Sequence, residues 1–167
     1  GRAAGRPMTW YHAVVFVHVL SAALWVGGIL SLSVVAVPVL RRLDPGTRAR
    51  VVSELGRRFR GVGWTLLLLL WLTGVVQLVV RGGGWENVVT GAVFATRFGR
   101  LMALKLGMVV LMMIVSFVHD YIVGPRATQA AAAGADVTPW RQQATALARI
   151  VGLLAIAIVL VAVLLPR

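Results

Sequence analysis

From Trp10 to Leu40 the chain carries no aspartate, glutamate, lysine or arginine. A helix needs only about 20 apolar residues to cross the hydrocarbon of a bilayer, so this run is long enough to span one. Three more apolar runs follow, at about 62–80, 101–123 and 146–165. Of the 167 residues, 59% are hydrophobic and 13% charged, where a soluble domain has roughly half and a quarter. No soluble core of this size hides that much apolar surface, whereas a bilayer does. In lipid a spanning helix satisfies its own backbone hydrogen bonds. The pattern therefore predicts an all-α, integral membrane four-helix bundle, with the whole chain as one transmembrane domain. Arg2 and Arg6 precede the first run as they would a secretion signal. A cleavable signal, however, has an apolar region of only about 7–15 residues. The run also ends in a stop-transfer pattern, Val37-Pro38-Val39-Leu40-Arg41-Arg42, and is read as a helix.

Residues 41–60 read as a polar loop holding Arg41, Arg42, Arg48, Arg50, Arg57, Arg58 and Arg60, with 49–59 expected to lie as an interfacial helix. Arg81-Gly82-Gly83-Gly84 breaks the second run. The loop that follows, to Arg97, carries Val88, Val89, Val93 and Phe94 and is expected to fold back onto the bundle. Gly124-Pro125 closes the third run, and the Ala- and Gly-rich stretch 127–139 reads as a surface linker. Arginines crowd the 1–2 connection and, with Arg126, Arg141 and Arg149, flank the 3–4 connection. The positive-inside rule puts that end in the cytoplasm of a bacterial inner membrane and both termini outside. A net charge of +12 in a soluble protein would suggest nucleic acid. Here the basic residues sit between spans, where they orient helices and meet anionic lipid. The absence of cysteine excludes disulfides and thiolate metal sites.

Chemistry concentrates in the first and third runs. His12 lies near the outer end of the first, and His18 about 9 Å deeper at about 1.5 Å per residue. On the third, Met102, Lys105, Met112, Ser116 and His119 recur at helical spacing and share a face. An intramembrane lysine is costly unless it snorkels, pairs or serves a function, and the histidines also suit helix-to-helix hydrogen bonding. Below His18 come Trp25 on the same face, then Gly27 and Gly28, a notch where a helix or a flat ring can approach the backbone. A histidine facing such a notch suits axial ligation of haem b. His18 and His119 differ in depth by roughly 15 Å, which disfavours one haem held by both. His18 then needs a partner at its own depth, from Lys105, Met108 or His12.

The sequence from His18 to Trp25-Val26-Gly27-Gly28 and Val37-Pro38 resembles the first helix of the copper-resistance protein D family. The likeness continues through Gly56-Arg57-Arg58-Phe59-Arg60, Leu72-Thr73-Gly74, Gly99-Arg100-Leu101, Lys105-Leu106, His119-Asp120 and Gly124-Pro125-Arg126. A more distant resemblance is to HemJ-type protoporphyrinogen oxidases. The first implies copper movement across the inner membrane. The second implies haem b and a membrane oxidoreductase that passes electrons to quinone or another redox partner. The favoured expectation is a haem b protein for electron transfer or oxidation of a small lipophilic substrate. His18, Trp25, Gly28, Lys105 and His119 then bind the cofactor, and His12, His18 and His119 are the candidate metal ligands. Copper transport is the alternative, with Met8, His12, His18 and the third-helix methionines as a relay. A structural subunit of a larger complex, or a homo-oligomer, is the third reading.

Overall fold

The computed structural model describes residues 10–164, apart from the side chains of 131 and 132. Met8, Arg2, Arg6 and the last residue of the expected fourth helix lie outside the described residues. Four long helices are apolar enough to cross a membrane: α1 (Trp10–Leu40), α2 (Pro45–Arg81), α3 (Arg97–Ala130) and α4 (Thr138–Leu164). α1 packs chiefly on α2 and α3 on α4, with α2 touching α3 and α1 touching α4, so the four close into a ring. The main core is Trp25, Leu66, Leu67, Met112, Val151 and Ala155. Side chains such as Val34, Leu153 and Val163 point outward and are the surface that lipid covers.

Of the expected loop at 41–60 only 41–44 lie outside a helix; from Pro45 on, and so through the 49–59 stretch expected as a separate interfacial helix, the chain is the opening of α2, a single helix of 37 residues. At about 1.5 Å per residue it is about 55 Å long, far beyond the about 30 Å of hydrocarbon, so its arginine-bearing turns project past the apolar span. Local chemistry explains the early start. Asp44 caps the helix by accepting the Thr47 N–H at 2.9 Å, and Pro45 occupies the first turn, where its missing N–H costs nothing. Glu54 then pairs with Arg57 and Arg58 one turn on. Similarly, α3 begins at Arg97 and continues as helix to Ala132, and α4 begins at Thr138. The expected linker at 127–139 shrinks to one short turn.

Two π-helical turns interrupt the ladder, Leu32–Ala36 in α1 and Val118–Val123 in α3. Each ends two residues before a proline, Pro38 and Pro125. A proline ring clashes with the carbonyl four residues back and lacks an N–H. Those carbonyls belong to Val34 and Tyr121, inside the two π turns. The local widening is the adjustment by which a membrane helix re-satisfies what proline frees.

The 2–3 connection does fold back, through Val93. It holds a one-turn helix, Trp85–Val89, and a 3-10 turn, Ala92–Ala95. Val93 is buried against Leu78 and Met102, while Val89 and Phe94 stay exposed. Thr96 caps α3 by accepting the Gly99 N–H at 3.0 Å and donates its own hydroxyl to the Val93 carbonyl at 2.7 Å. This lays the Val93 backbone so close to Gly99 that any Cβ there would overlap the Val93 carbonyl.

Gly99→Ala should therefore lower stability by about 1–3 kcal/mol, whereas Gly107→Ala, whose Cβ meets nothing within 4 Å, should leave it unchanged or raise it. Thermal melting in detergent reads both. The Thr47 backbone N–H, then its hydroxyl, hold the exposed Asp44 carboxyl below its ordinary value. A depressed carboxyl stabilises above its unfolded value of about 3.9 and loses that contribution as pH falls through the folded one. Asp44→Ala should accordingly melt lower than wild type at neutral pH, and the difference should close in acid.

Candidate functional site

The polar residues of the spans collect at two levels. The level farther from the arginine-rich end centres on His18. Thr73 on α2 donates its hydroxyl to the Leu69 carbonyl at 2.5 Å, the usual resort of a mid-helix threonine. Its oxygen therefore accepts from His18 Nδ1 at 2.7 Å. That network assigns the proton to Nδ1 and leaves Nε2 as the acceptor for Lys105 Nζ at 3.5 Å. A directed chain, Lys105 to His18 to Thr73 to backbone, thus ties α3, α1 and α2 together. Among the described residues no carboxylate pairs with Lys105. Gly74 gives the ring its room, because a Cβ there would sit 3.7 Å from His18 Cε1 and 3.3 Å from Leu106. Met102 and Gln77 complete a cavity of about 30 Å³, and Gln77 Nε2 is buried with no partner.

The second level lies toward the arginine-rich end, beside both π turns. Its cavity holds about 230 Å³ and is walled by Trp25, Phe59, Trp64 and Leu67, with Ser33, Arg60, Ser116, His119 and Asp120 supplying the polar groups. Asp120 accepts from His119 Nδ1 at 2.9 Å with one oxygen and from Trp64 Nε1 at 3.2 Å with the other. The carboxylate thereby fixes the imidazole and leaves Nε2 for another partner. Arg60 lays its guanidinium 5.3 Å from the Tyr121 ring centroid, and its Nε is buried with no partner.

No residue lines both cavities. His18, Ser21 and Trp25 run down one face of α1 between them, with Ser21 only 3% exposed.

A family model for copper resistance protein D matches residues 53–165. An uncharacterized protein of Aquifex aeolicus (strain VF5) is 34% identical over 113 residues, which is 67% of this chain and 69% of that protein. The chain belongs to the copper resistance protein D family. No solved structure matches it. The segment matching the family begins at Ser53, so it contains Thr73, Lys105 and His119 and stops short of His18 and Trp25.

The site residues expected from sequence are thus divided by the structure. His18 and Lys105 meet; His119 joins Trp25 at the other level. Gly28 faces neither histidine, for Phe59 fills its notch with Cε2 2.6 Å from where a Cβ would stand. The glycine that accommodates His18 is Gly74. His12 is exposed and lines neither cavity, nor does Met108. Arg126 stacks on Trp140 at 5.4 Å and leaves the His119 level to Arg60. Sequence reading missed Gln77, Ser21 and the anchoring role of Thr73. The signal for the last two was a hydroxyl within an otherwise apolar run. Among the described residues no three His, Cys, Asp or Glu side chains come together as a metal cage.

Thr73→Val should remove the hydroxyl that holds the half-buried His18 N–H and cost about 1 kcal/mol, read as a lower melting temperature. Lys105→Met should restore nothing in that background, because the lost partner is on the other ring nitrogen.

Proposed function

We propose that this multi-pass membrane protein moves copper ions through its helix bundle, by way of donors that face the interior at intervals. The observation that carries the reading is the inward face of α3, where Met102 stands at the His18 level, Met112 packs in the core beside Trp25, and His119 lines the other cavity. Thioether sulfur and imidazole are the ligands that monovalent copper favours. Conduction needs sites that bind well enough to admit an ion and weakly enough to release it, which a string of one- and two-donor stations provides. In this reading Lys105 is a gate. Its amine occupies His18 Nε2, and copper reaches that nitrogen only when the lysine swings off. His119, held by Asp120, is the station at the arginine-rich end, which the positive-inside rule assigns to the cytoplasm of an inner membrane.

Copper accumulation in cells expressing the chain tests this. His18→Ala and Met102→Leu should reduce it to near the level of cells lacking the chain, and wild-type accumulation in both variants would sink the proposal. The orientation has its own test, since the chain has no cysteine of its own. Single cysteines at Ser53 and Glu86 should react with an impermeant thiol reagent from opposite faces of the membrane, Glu86 from outside.

A second reading, haem b serving electron transfer or oxidation of a lipophilic substrate, is favoured only by the aromatic cavity that His119 faces. The about 30 Å³ beside His18 has no room for a macrocycle. At the other level about 230 Å³ suits a single ring, such as a quinone head, better than a porphyrin. The likeness to HemJ-type oxidases belongs with this reading. A reduced-minus-oxidised spectrum of protein made with haem available separates the two. A b-type spectrum abolished by His119→Ala would replace the copper reading, and a featureless one would remove haem.

A further inference from the structure

Where α1 ends, three arginines from three helical segments turn toward one recess. Arg41 caps α1, Arg48 lies in the first turns of α2, and Arg141 lies in the first turn of α4. Together they line a cavity of about 280 Å³ whose floor is apolar, with Val37, Leu40 and Val52 among its walls. No acidic residue lines it.

The carboxylates nearest in sequence have partners of their own and do not line the recess. Asp44 accepts the Thr47 N–H, Glu54 pairs with Arg57 and Arg58, and Asp136 accepts the Thr138 N–H at 2.9 Å. Among the described residues, Arg41, Arg48 and Arg141 form no ion pair. Three cations converging without a counter-charge repel one another, and such an arrangement is relieved by an anion. Guanidinium groups match phosphate oxygens two at a time. The apolar floor says what kind of phosphate. Val37 and Val52 are 41% and 49% exposed, so the apolar wall of the recess is open at the end of the bundle, where the first carbons below a headgroup can reach it. Trp140, adjacent to Arg141 and stacked under Arg126, is the residue type that marks the headgroup level.

We propose that this recess is a binding site for an anionic phospholipid, its phosphodiester held by Arg41, Arg48 and Arg141 and its first acyl carbons laid on Val37, Leu40 and Val52. The lipid closes the joint between the end of α1 and the starts of α2 and α4, independently of what the bundle transports. The site differs from the general attraction of basic loops to an anionic leaflet because it is local, saturable and specific to three of the many arginines at that end.

Native mass spectrometry of the detergent-purified chain, titrated with phosphatidylglycerol, tests it. Wild type should retain lipid saturably. The triple variant Arg41→Gln/Arg48→Gln/Arg141→Gln should bind about tenfold or more weakly. Arg50→Gln/Arg57→Gln/Arg58→Gln, which removes equal charge from the same end, should bind as wild type does. Equal losses in the two triples would overturn the proposal, leaving only a diffuse field. Phosphatidylcholine, which carries the same phosphate beneath a cation, should bind more weakly; equal binding also overturns it. Inorganic phosphate should fail to displace the lipid, and full displacement would make the site one for free phosphate. If the first triple does not fold, Arg48→Lys keeps the charge but loses the fork, and it should weaken retention measurably; an unchanged affinity counts against the site.

Discussion

In hydrocarbon a backbone N–H or C=O has no water to turn to, and each must be satisfied within its own helix. This chain breaks that requirement twice, at Pro38 and Pro125, and repairs it twice with a π turn. The repairs have consequences beyond the backbone. His119 and Asp120 lie within the widened turn itself, so they meet the bundle at a different angle from the same residues in an unbroken α-helix. Ser33, in the other π turn, is aimed at the same cavity. The larger polar cavity therefore sits where it does because two prolines made the adjoining ladders yield, a frequent origin of functional sites in helical proteins.

The polar groups inside obey the same economy. A buried donor without an acceptor costs about as much as a lost hydrogen bond, whereas a satisfied pair is worth modestly more than none. His18 meets this through Thr73 on one side and Lys105 on the other, and His119 through Asp120, itself held by Trp64. Each set spans at least two helices. It therefore fixes their relative rotation as well as supplying chemistry, which side-chain packing against lipid-like surfaces does poorly on its own. Gln77 Nε2 and Arg60 Nε are left over, one at each level.

Hydropathy made the four spans legible, because the energetics of transfer into lipid are dominated by composition over about 20 residues. It failed at the helix ends. The beginning of α2 is decided by the cap at Asp44, the proline after it and the Glu54 pairs, all polar features that a hydropathy window reads as loop. The shared face of Met102, Lys105, Met112, Ser116 and His119 was legible from helical period alone, as was the separation in depth of His18 and His119. What the period does not carry is the identity of the residues across the interface. His18 faces a glycine, but Gly74 of α2 in place of the notch in its own helix, because the pairing of helices and their rotation arise from contacts that no single segment encodes. Trp25 was assigned to His18 by sharing its face, yet seven residues on a helix is about 10 Å, enough to place it at the other level.

Between the two levels the bundle is closed by Trp25, Leu66, Leu67 and Met112, with Leu67 among the most deeply buried side chains. A charged species crossing from the His18 cavity to the His119 cavity has to pass this apolar plug, where desolvation is most costly. On the proposed copper reading, two features would lower that barrier. Ser21 places a hydroxyl on the α1 side of the plug, and Met112 places a flexible thioether on the α3 side. Methionine rearranges more readily than a branched aliphatic and offers a soft donor as it does so. On the copper reading, a soft monovalent cation would meet the Met112 sulfur there, with the Ser21 hydroxyl on the facing helix. On that reading, the Met112 thioether in the apolar segment would discriminate between ions more than the histidines at either end.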